Sequence, residues 1–156
     1  MLNQFSRTQL LLGPEGMERL SGKKVAVFGI GGVGGYVCEA LVRSGIGAFD
    51  LIDDDKVCLT NLNRQIIATR KTVGKYKAEV MRTRMLEINP EAKIDIHKCF
   101  FLPENADEFP FHEYGGGLKR LLTCKASSRR IMQIGSTPFP KGISYLSREK
   151  PTISYP

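Results

Sequence analysis

Four glycines and a run of carboxylates set the chemistry this chain could perform. Between Lys24 and Asp55 it reads KVAVFGIGGVGGYVCEALVRSGIGAFDLIDDD: an apolar run, a glycine-rich turn, a helical stretch, a second apolar run and three acids. Gly29 permits a tight turn after the first run. Gly31, with Gly32 beside it, lets backbone approach a phosphate, and Gly34 lets the following helix pack closely on the strand. The N-terminus of that helix offers its unbonded N–H groups to an anion. Asp53 lies 24 residues beyond Gly29, at the end of the second run, where a carboxylate can accept hydrogen bonds from ribose hydroxyls. The chemistry implied is nucleotide binding.

A polar loop follows, DDDKVCLTNLNRQ, from Asp53 to Gln65. It ends in Arg64, and Lys77 then falls on the first turn of the next expected helix. A guanidinium and an ammonium near a glycine turn suit a triphosphate better than the two phosphates of a dinucleotide. A single Arg or Lys reads as a solvated surface charge. The combination is what points to phosphate.

The elements that must position these groups can be read in turn. Phe5 to Leu20 is expected to be a short helix broken near Gly13-Pro14. Lys24–Ile30 has the continuous apolar centre of a buried parallel strand. Val33–Ser44 reads as a helix with Val37, Ala40 and Leu41 on one face, ended by Gly45; Ala48–Ile52 is a second strand. Gly74 to Asn89 is an amphipathic helix with Val80, Met81, Met85, Leu86 and Ile88 on its apolar side, closed by Asn89-Pro90. Lys93–Cys99 alternates as a third strand, and Pro103 to Glu113 is a polar, acidic connection. The fold class expected is α/β, a Rossmann-like parallel sheet with helices on both faces, incomplete on its C-terminal side.

Composition bounds the rest. At 156 residues and 42% apolar, the chain is long enough for one domain with a sizeable core. It shows neither a bilayer-spanning apolar run nor a signal peptide. Cys38, Cys58, Cys99 and Cys124 form no CxxC pair, so they read as free thiols of a reducing, cytoplasmic protein. The net charge of +7 is unevenly spread: residues 1–114 carry 15 basic and 15 acidic side chains, residues 115–156 eight basic and one acid, Glu149. Three segments are expected: a helical segment over 1–22, a nucleotide-binding domain over 23–114, and a basic tail of atypical sequence over 115–156.

The runs GIGGVGG, DDDKVCLTNLNRQ and VGKYK together resemble the ubiquitin-activating-enzyme-like adenylation family (ThiF/MoeB type) over residues 5–113. Within it, GVGG, NLNRQ and the opening FSRTQLLLGPEGMERL resemble the tRNA threonylcarbamoyladenosine dehydratase branch. The resemblance implies that ATP activates a substrate carboxylate as an acyl-adenylate with release of pyrophosphate. Gly29, Gly31, Gly32 and Gly34 would cradle the phosphates and adenosine, Asp53 would hold the ribose, Asp55 would belong to the same cofactor site, and Asn61, Arg64 and Lys77 would contact the phosphates. Arg7 would reach the neighbouring subunit's ATP, so Arg7, Arg64 and Lys77 are the catalytic candidates and a homodimer is the implied unit. The implied partner is tRNA carrying threonylcarbamoyladenosine, whose carbamoyl group would close a ring with net loss of water.

One departure stands out. The family places next an apolar strand ending in an aspartate turn that holds the magnesium of magnesium–ATP. Here that place reads Gly115-Gly116-Gly117-Leu118-Lys119-Arg120-Leu121-Leu122, and no carboxylate occurs between Glu113 and Glu149. No metal ligand is therefore assigned. A reading-frame change near residue 115 is the expectation, testable in the gene's nucleotide sequence, with activity impaired as a result.

Other readings stay open. A sulfur-carrier adenylyltransferase would need a sulfur-carrier or sulfur-relay partner ending in Gly-Gly. A NAD-dependent oxidoreductase is disfavoured by Arg64 and Lys77. An inactive nucleotide-binding or dimerisation fragment is favoured by the missing carboxylate. His97 reads as a half-buried strand residue, His112 has no evident partner, and Cys124 lacks a motif for thioester chemistry. Lys119-Arg120 and Arg129-Arg130 could touch tRNA phosphates.

Overall fold

The computed structural model describes residues 3–101, 105, 108–110 and 113–114, and the backbone of short strands at 122–123, 131–134 and 143–146. His112, Cys124, Lys119, Arg120, Arg129, Arg130 and most of the glycine-rich boundary lie outside the described residues.

The chain runs α1 (Ser6–Ser21), β1 (Lys24–Phe28), α2 (Gly34–Ser44), β2 (Ala48–Ile52), a 3-10 turn (Leu59–Asn61), α3 (Lys77–Ile88) and β3 (Lys93–His97). Strands β4 (Leu122–Thr123), β5 (Ile131–Ile134) and β6 (Ile143–Leu146) follow. The main sheet is ordered β3-β2-β1-β4. All three of its pairings are parallel. Strands β5 and β6 form a separate antiparallel pair. The central order is that of a Rossmann fold, whose ligand crevice opens at the carboxyl ends of the strands where the order reverses, here beside β1.

Strand alternation sorts the core into two layers. Val27, Phe49, Leu51 and Ile94 face α2 and α3, where they meet Cys38, Val42, Ala78, Met81 and Met85. Ala26, Phe28 and Ile52 face the other way, toward Phe101, Phe109 and Tyr114. Among the described residues, then, α2 and α3 share one face and an aromatic segment covers the other. Phe28, Phe101 and Phe109 meet there edge-to-face, with centroids 4.5 to 5.8 Å apart.

Element ends differ from the sequence expectation in instructive ways. Strand β1 stops at Phe28 because Gly29, at φ 89°, already turns the chain. Helix α3 starts at Lys77, since residues 74–76 are drawn into a backbone pairing with Val57. The buried face of α2 also needs correcting. It carries Cys38, Glu39 and Val42, whereas Ala40 is exposed. The reason is α3: its Arg84 joins Arg43 in holding Glu39 (Arg43 Nη2–Oε1 2.6 Å), so a charged residue can turn inward. Burial opposes that carboxylate's ionisation, but the hydrogen bonds from Arg84 and Arg43 outweigh it and hold its pKa below the ordinary value.

Helix α1 is kinked at Gly13 (φ 72°, ψ 169°), and none of its residues is buried. Phe5 and Met17, on either side of the kink, both pack against Gly45 at the end of α2. The tip between them leaves Leu10 and Leu11 87% and 86% exposed. At the other end of α1 a Cβ on Gly47 would stand 1.9 Å from the Ser21 carbonyl oxygen, so only glycine fits.

Candidate functional site

The glycine turn leaves β1 at its carboxyl end and feeds α2. Gly29 N–H donates to the Ile52 carbonyl (2.8 Å), tying the turn to the end of β2. Helix α2 has no side-chain cap at its N-terminus and no acid in its first turn, so its positive end is left for an anion. A Cβ on Gly32 would lie 3.6 Å from Cγ of Arg64, which places the arginine stem over the turn.

Asp53 has an internal task. It is buried, and its two oxygens accept from Ile30 N–H (2.6 Å) and Asp55 N–H (2.8 Å). It therefore clamps the glycine turn to the loop after β2 with charge-assisted hydrogen bonds. Asp55 is the more accessible acid. Its Oδ2 receives Lys77 Nζ at 2.9 Å, and its carbonyl receives Lys77 N–H at 3.0 Å. Lys77 is buried at the start of α3, its ammonium fixed on Asp55, which is in turn bonded to Asp53.

Asn61 also has a local task. Its Oδ1 accepts from Cys58 N–H (3.0 Å) and its N–H donates to Cys58 carbonyl (3.0 Å), closing the 3-10 turn that carries Arg64. Arg64 is exposed, its Nη1 donating to Thr60 carbonyl (3.2 Å) and Asn63 Oδ1 (2.9 Å). The structure thus gathers Gly29, Gly31, Gly32, Gly34, Asp53, Asp55, Arg64 and Lys77 around one turn. Arg7 stands apart. It is exposed two residues past Phe5, which touches the far end of α2. The 11 residues of α2 put about 16 Å of helix between that end and the glycine turn.

The turn fits a nucleotide: an uncapped helix end, a close-approach glycine and two cations. A resident magnesium is a different matter. Asp53, Asp54 and Asp55 bring one oxygen each within 4.8 Å of one another, hard donors of the right type. Yet both Asp53 oxygens are taken by N–H groups and Asp55 is paired with Lys77, so the trio does not fit as a metal cage.

Sequence reasoning passed over a polar cluster on the aromatic face. Asp50, in the middle of β2 and 1% exposed, accepts from Tyr114 Oη (2.6 Å). It also pairs with Lys24 Nζ at 3.1 Å and has His97 Nε2 at 3.5 Å. Its signal was present: an acid amid the apolar run AFDLI must be paired. Burial and the Asp50 carboxylate push the Tyr114 phenol far above its ordinary pKa. Burial works against the charged Lys24 ammonium, but the hydrogen bond and charge of Asp50 outweigh it and raise its pKa. His97 is half-buried on its strand, as the alternation implies. Cys38, Cys58 and Cys99 are free thiols; burial, then the charges of Glu108 and Asp54, push the Cys99 thiol up. Among the described residues no helix is long and apolar enough to cross a membrane.

The chain is similar to known proteins over this same region. A tRNA threonylcarbamoyladenosine dehydratase of Bacillus subtilis is 46% identical over 115 residues, 74% of this chain and 44% of that protein. A crystal structure of E. coli tRNA N6-threonylcarbamoyladenosine dehydratase, in complex with ATP, superposes with a TM-score of 0.69 at 44% identity. That match covers 71% of this chain and 46% of that one. A sulfur carrier protein adenylyltransferase of Thermus thermophilus is 37% identical over 109 residues, 69% of this chain and 40% of that protein. The chain spans less than half the length of these relatives. The model of the ThiF family matches residues 5–112, which take in every element from α1 to β3 together with the glycine turn and the Asp55–Lys77 pair, and the chain belongs to that family.

Proposed function

We propose that this chain is the nucleotide-binding part of an ATP-dependent tRNA threonylcarbamoyladenosine dehydratase. The observation that carries the reading is the pairing of the glycine turn with two cations, Arg64 over Gly32 and Lys77 on Asp55. ATP supplies the activation: the threonyl carboxylate attacks the α-phosphate, pyrophosphate leaves, and the carbamoyl group then closes the ring as AMP departs. The glycine turn and the N-terminus of α2 hold the phosphates, and Asp55 receives the ribose hydroxyls. Asp53 keeps the turn in shape, and Asn61 holds the loop that aims Arg64. Lys77 and Arg64 stabilise charge developing on the phosphates, the usual largest contribution in phosphate chemistry.

Arg7 acts on the neighbouring copy, because the length of α2 separates it from its own turn. A homodimer is then the working unit, and the exposed Leu10–Leu11 tip belongs to its contact surface. The segments 1–22, 23–114 and 115–156 serve as dimer element, nucleotide domain and basic extension. Sequence positions 114 to 148 contain no carboxylate, so a ligand for magnesium is missing there and turnover by this chain is slow.

ATP binding, together with ATP–pyrophosphate exchange in the presence and absence of tRNA bearing threonylcarbamoyladenosine, tests the reading. Exchange that depends on that tRNA is expected, weak but measurable. Failure to bind ATP would overturn the proposal. The relative from Thermus thermophilus favours one second reading, a sulfur-carrier adenylyltransferase. Exchange stimulated by a small protein ending in Gly-Gly, and not by the tRNA, would select it.

A further inference from the structure

The stretch from Lys56 to Ala78 contains six basic residues and no acid, while the described chain around it is acidic on balance. It leaves the site beside Asp55, carries Arg64 over the glycine turn, and returns to the site at Lys77. Its neck is pinned: Val57 N–H donates to Lys75 carbonyl (2.9 Å), Gly74 N–H to Val57 carbonyl (2.8 Å) and Lys77 N–H to Asp55 carbonyl (3.0 Å). Its tip is stitched by Thr72, whose hydroxyl donates to Ile67 carbonyl (2.8 Å) and accepts from Thr69 N–H (2.8 Å).

Arg70, Lys71 and Lys75 are exposed on this loop, and among the described residues none of them forms an ion pair. At the neck the Tyr76 ring carries two ammonium groups, Lys56 Nζ at 5.0 Å and Lys98 Nζ at 4.6 Å from its centroid. Glu79 pairs with Lys98, and Asp55 with Lys77. The loop itself contains no carboxylate to pair with Arg70 and Lys71 toward its tip or with Lys75 at its neck. Like charges held together on a rigid loop repel one another, a cost that a polyanion relieves, and rigidity lowers the ordering cost of binding it.

We propose that this loop is a phosphodiester-binding surface that seats the RNA backbone flanking the modified nucleoside. Arg70, Lys71 and Lys75 contact phosphates, and Lys56 and Lys98 are positioned by Tyr76 for the same strand. The inference rests on the reading of tRNA as substrate. The loop joins Arg64 to Lys77, so its exposed cations lie on the stretch of chain between the two groups to which the nucleoside would be presented.

The test uses the full chain and an unmodified RNA stem-loop, with binding measured by fluorescence anisotropy across a salt series. The triple reversal Arg70→Glu, Lys71→Glu, Lys75→Glu is compared with the charge-matched Arg19→Glu, Lys23→Glu, Lys93→Glu. Loss of three phosphate contacts is expected to weaken RNA binding at least roughly tenfold and to lower the salt slope by about 2. The control triple should change affinity by less than about threefold, with ATP binding unaltered in both variants. Equal losses in the two triples would overturn the surface, reducing it to bulk charge. So would loss confined to reversal of Lys119, Arg120, Arg129 and Arg130, or retained RNA binding alongside lost association with an acidic protein. A chain that binds ATP but is indifferent to the loop reversal refutes this surface alone; one that fails to bind ATP refutes the enzymatic reading instead.

Discussion

Asp53 and Lys77 show how one acid and one base divide the work at the turn. Asp53 accepts from two backbone N–H groups, that of Ile30 buried and that of Asp55 part-buried, and Asn keeps only one acceptor oxygen, so Asp53→Asn should cost about 1–3 kcal/mol through the one donor left unpaired. Because the glycine turn loses its clamp, ATP affinity should fall at least roughly tenfold as well. A thermal melt and an ATP titration on the same sample check both, and a stable variant with normal ATP affinity would refute the clamp. In the proposed reaction Lys77 acts later, on charge that develops at the phosphates. Lys77→Ala should reduce ATP–pyrophosphate exchange by roughly 10²-fold while weakening ATP binding far less. Lys77→Arg should not restore it, since the buried site is shaped for a compact ammonium. Both residues were legible in the sequence as members of the site. Spacing offered Asp53 to the ribose; the structure adds that its two oxygens also hold the N–H groups of Ile30 and Asp55, which an end-of-strand acid does not reveal in the sequence.

At the scale of elements, the aromatic face is fastened by the Lys24–Asp50–Tyr114 cluster, which draws residue 114 into a parallel bridge with Lys24. Tyr114→Phe removes a hydrogen bond to a buried carboxylate and should cost about 1.5–3 kcal/mol. The folded-state pKa values of Lys24 and Tyr114 are both raised. Their contribution is therefore complete below the unfolded values near pH 10 and is lost as pH rises through and beyond them. Denaturant melts between pH 8 and pH 11 should show stability falling at the alkaline end, with a shallower fall in Tyr114→Phe. Packing between elements is as strict at Gly47, where an added methyl meets the Ser21 carbonyl. Gly47→Ala should cost about 1–3 kcal/mol or more by displacing α1 from the sheet.

For the whole molecule, the kinked α1 projects Leu10 and Leu11 into solvent, and Arg7 is exposed two residues past Phe5 at the far end of α2. If the proposed dimer forms through this tip, Leu11→Glu should convert it to monomers in sedimentation velocity and lower exchange activity with it. A dimer that survives the change would remove α1 from the interface. Among the described residues the sheet ends at β3 on one side, where exposed Lys93 and Asp95 on a short strand discourage edge-to-edge pairing. On the other side β4 continues it by two residues beside β1.

The sequence by itself determined the strand–turn–helix order, the position of the turn and the identity of most of the groups around it. These follow from local rules: apolar period, glycine where backbone must turn, and a break at Gly13-Pro14. Tertiary structure decided what each group is for. Asp53 became a clamp because β2 ends beside Ile30, Glu39 turned inward because α3 brought Arg84 to it, and Asp50 found Tyr114 from 64 residues away. Such partners are set by chain crossings, and no periodicity along the chain encodes which distant donor will reach a buried charge.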